Sequence, residues 1–395
     1  MSRLETGAGT NSRAWWRRPR RHPGPWIALT VFMMLLALVA GGCGGKLPSA
    51  PGATASPGSA TGRTTDGSTG SNAPLSATLN GAGATFPEPL YVEWIGEFQA
   101  LYSEVTINYQ GIGSGGGIEQ FSKLTVDFGA SDAPMKDEEI AAAEAASGAK
   151  VLHIPTVFGA VTVVYNLPQL KGLRLDPTAL VDIFRGQITK WNDPRLAELN
   201  PGVALPDRAL QVVHRSDASG TTSIFTSYLA AVSEVWAKEV GKGKEVPWPV
   251  GVGGQGNDGV AAVVKQQVGS LGYVELSYAL ESGLPTASLK NPADNFIAPS
   301  LEATSAAAEG VEFPDDLRFS VVNSPNPEAY PICGATWILV YDKMKDPAKA
   351  AALKAFLTWA LTEGTPLAEE LKYAPLPEDL RAKALAKVEL ISASK

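Results

Sequence analysis

Residues 209–240 read ALQVVHRSDASGTTSIFTSYLAAVSEVWAKEV, and the order of residue types in this stretch decides the fold. The first seven, ALQVVHR, form a short apolar run with the pattern of a buried strand. A turn of small and polar residues, RSDASGTT, follows, and TTSIFTSYLAAVSEVWAKEV then carries apolar residues at helical spacing. Strand, glycine turn and helix, in that order, are the unit of a layered α/β fold. The same unit recurs in both directions along the chain. VTINYQGIG (105–113), KVLHIPTVFGAVTVVYN (150–166), GSLGYVEL (269–276) and ATWILVY (335–341) read as buried strands, and EPLYVEWIGEFQALY (88–102) as a helix. The tail from Pro347 to Thr362, then PLAEELKYAPLP (366–377), is expected to close the fold as helices. Glycine-rich turns stand where strands hand over to helices: GAGATFP (81–87), GIGSGGG (111–117), RSDASGTT (215–222) and GGQGNDG (253–259). Ligands of open α/β sheets gather where such turns converge, at the carboxyl ends of the strands. Each turn taken alone also fits a plain reversal of the chain.

The residues in these turns point to an oxyanion. Thr85 and Phe86 precede Pro87, which suits a first helical turn because it needs no donor there. Free amides at such a helix start, with the Thr85 hydroxyl, make an anion site; a simple N-cap is the alternative. In NYQGIGSGGGIEQF (108–121), glycines around Ser114 let backbone NH groups approach a ligand. This loop lacks the lysine and Ser/Thr ending of a nucleotide P-loop, which disfavours a nucleotide and leaves an exposed serine turn as the alternative. DFGASDAP (127–134) supplies Ser131 and Asp132. An ionised Asp132 suits an anion that still carries a proton, as phosphate does near neutral pH and sulfate does not. The alternative there is a solvated turn aspartate. HRSDASGTTSIF (214–225) is the richest segment: Arg215 offers a fork of five donors, and Ser219, Gly220 and Thr221 open the next helix. Asp217, two positions on, is placed to orient the guanidinium; a capped helix beside a surface arginine is the alternative.

The two ends of the chain and its charge bound the remaining possibilities. Five arginines, Arg13, Arg17, Arg18, Arg20 and Arg21, precede an uncharged apolar run from Trp26 to Ala40. That run is shorter than the roughly 20 residues a membrane span needs, so residues 1–42 read as a signal peptide. Cys43 follows at once, and LVAGGC resembles the lipobox of bacterial lipoproteins, with Ala40 where leucine is usual. Diacylation of Cys43 is expected, an unmodified cysteine being the alternative. Residues 43–76, nearly all Gly, Ser, Thr, Ala and Pro, cannot bury enough surface to fold and read as a flexible tether. Without residues 1–42 the chain carries 27 basic and 39 acidic residues, and no basic stripe, which excludes nucleic acid as a partner. Besides Cys43 there is only Cys333, and the histidines are His22, His153 and His214. No internal disulfide, metal cluster, cofactor site or histidine-based catalytic set is therefore expected.

In this order, GAGATFP, YQGIGSGGG, DFGASDAP, GQITKWNDPRLAELNPG (186–202), HRSDASGTT and GGQGNDGVAA resemble the phosphate-binding protein of phosphate-specific ABC importers, and the likeness runs through 78–390. The resemblance implies a type II periplasmic-binding-protein fold, in which two α/β lobes joined by a two-crossover hinge hold phosphate in the cleft. Crossovers near Pro155 and Tyr330 make lobe I from 77–155 plus 330–395 and lobe II from 156–329. It implies Thr85, Phe86, Ser114 and Asp132 as ligand contacts on the first lobe and Arg215, Ser219, Gly220 and Thr221 on the second. Phe86 acts through its backbone NH, and Asp217 stands behind Arg215. None of the eight positions departs from the family pattern, although His214 stands where relatives often carry arginine. GQITKWND and GGQGNDG are read as packing and turn segments. The implied partners are inorganic phosphate and a membrane permease. The receptor itself is a monomer, not an enzyme, held outside the cell membrane by the acyl group on Cys43. Three rivals remain. A receptor for sulfate or molybdate is disfavoured by Asp132. A secreted hydrolase using Ser114 or Ser219 lacks a GxSxG elbow and a base, since His153 and His214 sit in strand-like runs. A scaffold without ligand has no need for the intact eight-position set.

Overall fold

Nine strands build the main sheet of the computed structural model, which describes residues 75–394. The signal peptide, Cys43 and all but the last two residues of the tether lie outside the described residues. In chain order the strands are β1 (Ala77–Gly83), β2 (Val105–Gly111), β3 (Phe128–Ser131), β4 (Val151–Tyr165), β5 (Gln211–Arg215), β6 (Val252–Gly254), β7 (Ser270–Glu275), β8 (Cys333–Tyr341) and β9 (Ala374–Pro375). They lie side by side as β2-β1-β3-β8-β4-β7-β5-β6, with β9 also paired to β4. β2, β1 and β3 are parallel to one another, and so are β6, β5 and β7. Parallel pairing needs a crossover between strands. α1 (Glu88–Leu101), α2 (Ser114–Ser122) and α3 (Asp137–Ser147) follow β1, β2 and β3; α4 (Gly220–Val232), α5 (Gly256–Gln266) and α6 (Leu276–Ser282) follow β5, β6 and β7. The alternation expected from residues 209–240 thus holds in both halves, and the fold is α/β.

β4 joins the halves. Its fifteen residues are buried except the partly exposed Val151, as a strand covered on both faces requires. From Val151 to Ala160 it pairs antiparallel with β8; from Val161 to Tyr165 it pairs antiparallel with β7. The change of partner falls between Ala160 and Val161, downstream of Pro155. At that point the Val161 amide donates to the Ile332 carbonyl at 2.8 Å, so the two passages of the chain between the halves run side by side. Pro155 has no amide for the ladder, and the register slips there: Thr336 opposes Val157 whereas Trp337 opposes Pro155. The bulge aims the Thr336 hydroxyl at Asp132, 2.8 Å away. Buried aromatic pairs pack both halves. Phe98 packs on Phe356 and Trp359 in the first, and Phe225 stacks on Tyr273 at 4.2 Å in the second.

Two readings of local structure are corrected. TTSIFTSYLAAVSEVWAKEV forms two helices rather than one, because Ser233 adopts extended backbone and its hydroxyl caps the helix Glu234–Glu239 through the Trp236 amide. PLAEELKYAPLP is helical only at its start: a helix spans Thr365–Glu370, and β9 then pairs with β4 before the helix Glu378–Glu389. Pro375 and Pro377 explain the interruption, since neither can donate within a helix. Among the described residues no helix is long and apolar enough to cross a membrane.

Candidate functional site

The four glycine-rich turns meet where the carboxyl ends of β1, β2 and β3 face those of β5 and β6. Across the seam the Gly115 amide donates to the Ala218 carbonyl at 2.8 Å, and the Gly220 amide donates to Ser114 Oγ at 3.0 Å. Two glycines permit this approach. Gly113 enters α2 with φ 83°, a conformation that L side chains rarely adopt. A Cβ on Gly220 would stand 2.4 Å from both Asp132 Oδ2 and Ser114 Oγ. Thr85, Ser114, Asp132, Arg215, Ser219 and Thr221 are all 3 % exposed or less, so the meeting point is shielded from water.

Arg215 ends β5 with its guanidinium held from behind. Its Nε and Nη2 donate to the two carboxylate oxygens of Asp217 at 2.8 and 2.5 Å, and Nη1 reaches Thr221 Oγ1 at 3.4 Å. Burial alone would raise the Asp217 carboxyl, but the Arg215 hydrogen bonds and charge hold it below the ordinary value. The fork therefore keeps its positive charge in a buried place and leaves donors pointing forward. Ser219 caps α4 by accepting from the Thr222 amide at 3.1 Å, so its own hydroxyl proton stays free for another acceptor.

On the facing side, Asp132 follows β3. Its Oδ1 accepts from Thr336 Oγ1, and its Oδ2 lies 3.4 Å from Ser114 Oγ. Burial pushes the Asp132 carboxyl up to about 7, against the opposing pull of Thr336, Arg215 and Ser114. Protonated and ionised forms are thus both accessible near neutral pH. Phe86 is fully buried: its carbonyl accepts from Tyr373 Oη at 2.7 Å and its ring fills the space that a side chain at Gly159 would need.

One residue at the meeting point was not anticipated. GGQGNDG, read as a turn segment, places Asn257 with its Nδ2 donating to Thr85 Oγ1 at 2.9 Å and to Thr221 Oγ1 at 3.1 Å. The sequence holds only a weak hint of this, an amide at a helix start after a strand. The two histidines among the described residues are engaged elsewhere. His153 Nε2 accepts from the Met135 amide, and burial, then the Arg318 charge, lower its pKa to about 4. His214 stacks on Trp248 with its Nδ1 at the Arg215 carbonyl. Among the described residues neither Ser114 nor Ser219 is hydrogen-bonded to a histidine.

With the geometry in view, the comparisons with known proteins are specific. Residues 56–363 match the PBP superfamily domain. The chain is 43% identical over 316 residues to the phosphate-binding protein PstS of Pasteurella multocida, covering 78% of this chain and 89% of that one. It is 41% identical over 342 residues to the phosphate-binding protein PstS of Methanocaldococcus jannaschii, covering 80% and 87%. Among solved structures, a high affinity periplasmic phosphate-binding protein bound with phosphate aligns with a TM-score of 0.64 at 22% identity, over 78% of this chain and 93% of that chain. A human phosphate binding apolipoprotein aligns with a TM-score of 0.65 at 21% identity over the same shares. The structural likenesses show a common fold.

Proposed function

This chain belongs to the family of PstS phosphate-binding proteins, and from that premise we propose that it is an extracytoplasmic receptor for inorganic phosphate that delivers its ligand to an ABC permease. The observation that carries the reading is the buried meeting of Arg215, held by Asp217, with Asp132, a carboxyl able to change protonation near neutral pH. In this reading phosphate replaces its water shell with the Arg215 fork, the hydroxyls of Thr85, Ser114, Ser219 and Thr221, and the amides of Phe86, Thr221 and Gly220, the last giving up its bond to Ser114 Oγ. Asp132 and the ligand share one proton. A monoanionic phosphate meets the ionised carboxylate, a dianionic one meets the acid, and both routes give the same complex. Sulfate brings no proton and is accommodated only by the acid form.

The lobes of the reading meet at the partner switch of β4 and at the return into β8. Residues from 77 to the Ala160 step, together with β8 and the tail, form the first lobe, and the segment between forms the second. Because donors come from both, bound phosphate favours the closed arrangement, and the two passages of the chain at Val161 and Ile332 serve as hinge. The monomer is tethered by residues 43–76 to an acyl group on Cys43, and needs neither cofactor nor catalytic residue. Calorimetric titration of ligand-stripped protein with phosphate and then sulfate near neutral pH tests the reading. One-to-one phosphate binding without sulfate heat is expected; binding of both anions alike points to a general oxyanion receptor, and binding of neither removes the reading. Replacement of Cys43 by Ala tests the anchor: the protein should move from the membrane fraction to the soluble fraction.

A further inference from the structure

Asn257 is fully buried, and every polar group on its side chain is committed. Its Oδ1 accepts from the backbone amide of Glu275 at 3.0 Å. A backbone amide only donates, so this bond fixes which end of the side-chain amide is oxygen and turns the NH2 group toward the site. The two NH2 protons go to Thr85 Oγ1 and Thr221 Oγ1. Asn257 also sends its own backbone amide to Thr85 Oγ1 at 3.2 Å, and Arg215 Nη1 reaches Thr221 Oγ1.

A hydroxyl has two lone pairs and one proton. Thr85 receives two hydrogen bonds, both from Asn257, and Thr221 receives two, one from Asn257 and one from Arg215. Both hydroxyls are saturated as acceptors, and each has only its proton left to offer. We infer that Asn257 is a positioning residue that makes Thr85 and Thr221 obligatory hydrogen-bond donors toward the bound anion, and that for Thr85 it does so only when the two halves are together. The second clause follows from where the residues sit: Thr85 follows β1 in one half, whereas Asn257 and Thr221 begin α5 and α4 in the other. Apart from its partner, the Thr85 hydroxyl is free to present lone pairs, which repel an anion. Closure therefore does more than bring the Thr85 oxygen near the ligand; it sets which way the proton points. The inference rests on the phosphate-receptor reading and adds to it a residue that touches no ligand.

The test is a mutant cycle read by phosphate titration of ligand-stripped protein, with thermal unfolding of each variant as the folding control. Asn257→Ala should weaken phosphate binding about tenfold, the size of one net hydrogen bond to a charged group. In a Thr85→Val background the same change should cost about threefold or less, because part of what Asn257 orients is already gone. Asn257→Asp keeps the shape but accepts where Asn257 donates, and should lose at least 100-fold at pH 8, a deficit that narrows as the pH is lowered and the new carboxyl regains a proton. Equal losses for Asn257→Ala with and without the Thr85 hydroxyl would mean a merely structural role and overturn the inference, as would parent-like affinity in both Asn257 variants. Should Asn257→Asp not fold, the alanine cycle alone decides. A parent protein that binds no phosphate fails the receptor reading itself, a result distinct from either of these.

Discussion

Asp132 and Arg215 divide the work of recognising an anion. Arg215 supplies charge, and its directionality comes from Asp217, which takes Nε and Nη2 and leaves the rest of the fork facing Thr221. A lysine has three donors on one atom and no planar fork, so it cannot hold both Asp217 oxygens and Thr221 and still face a ligand; Arg215→Lys should lower phosphate affinity by about 10- to 100-fold while leaving the fold intact, measured by titration and thermal unfolding. Asp132 supplies discrimination. With its carboxyl pushed up to about 7 by burial, it is ionised at pH 8 and mostly protonated at pH 6. Sulfate should therefore compete with phosphate more strongly at pH 6 than at pH 8. Asp132→Asn removes the titrating group, so sulfate competition should become the same at both pH values and stronger than in the parent at pH 8. Competition titrations at the two pH values decide it: a parent whose sulfate competition ignores pH would separate Asp132 from selectivity.

The elements around the junction carry a second buried carboxyl. Glu275 ends β7, directly opposite Val161 of β4. Its Oε2 accepts from the Ser277 amide at 2.7 Å and from the Ser277 hydroxyl, whereas its buried Oε1 has no hydrogen-bond partner among the described residues. Tyr373 and Tyr278 are titratable groups beside it. Burial raises Glu275 to about 8, with Ser277 pulling the other way. The folded state thus holds a proton that the unfolded chain releases at ordinary carboxylate pH. Its contribution to stability is complete below about pH 4.5 and is lost as the pH rises through about 8. Glu275→Gln cannot ionise, so its melting temperature should fall less than the parent's between pH 5 and pH 8; melting curves of ligand-stripped protein that stay parallel would assign the pH dependence elsewhere. Glu275 also marks the limit of what the sequence discloses. Thr85, Ser114, Arg215 and Thr221 were legible because donor side chains sit in glycine turns directly after apolar runs, a local pattern. Glu275 within GSLGYVEL gives no sign of total burial, which comes from β4, Phe86 and Tyr373 packing over it from distant parts of the chain. The role of Asn257 is hidden in the sequence for the same reason, since Thr85 lies 172 positions away and Thr221 36. The helix break at Ser233 is masked in the sequence because apolar spacing continues through it and only a capping hydroxyl stops the ladder.

For the molecule as a whole, the question is what holds the halves together besides the ligand. Away from the site, Lys244 of the second half donates to Glu139 Oε1 on α3 of the first at 2.9 Å. The other oxygen, Oε2, accepts from the Lys136 amide, so the carboxylate is held in place before the lysine arrives. Its pKa lies below the ordinary value even though burial works against this, because the Lys136 amide and Lys244 favour the charged form. The lysine backbone is also tied to the site, since its carbonyl accepts from the Ser219 amide at 2.9 Å. With 17 % and 27 % of the two side chains exposed, the pair is partly screened, and pairs of this kind are worth up to about 1 kcal/mol, or about fivefold. That energy exists only while the halves touch, so it acts on opening rather than on the ligand's own contacts. Lys244→Ala should speed phosphate release by about two- to fivefold and leave the preference for phosphate over sulfate unchanged. High salt should quicken release from the parent more than from the variant, because screening weakens a pair that the variant no longer has. Stopped-flow release into a phosphate trap at low and high salt measures both effects. Release from Lys244→Ala at the parent rate under both conditions would mean that this pair contributes nothing to holding the molecule closed.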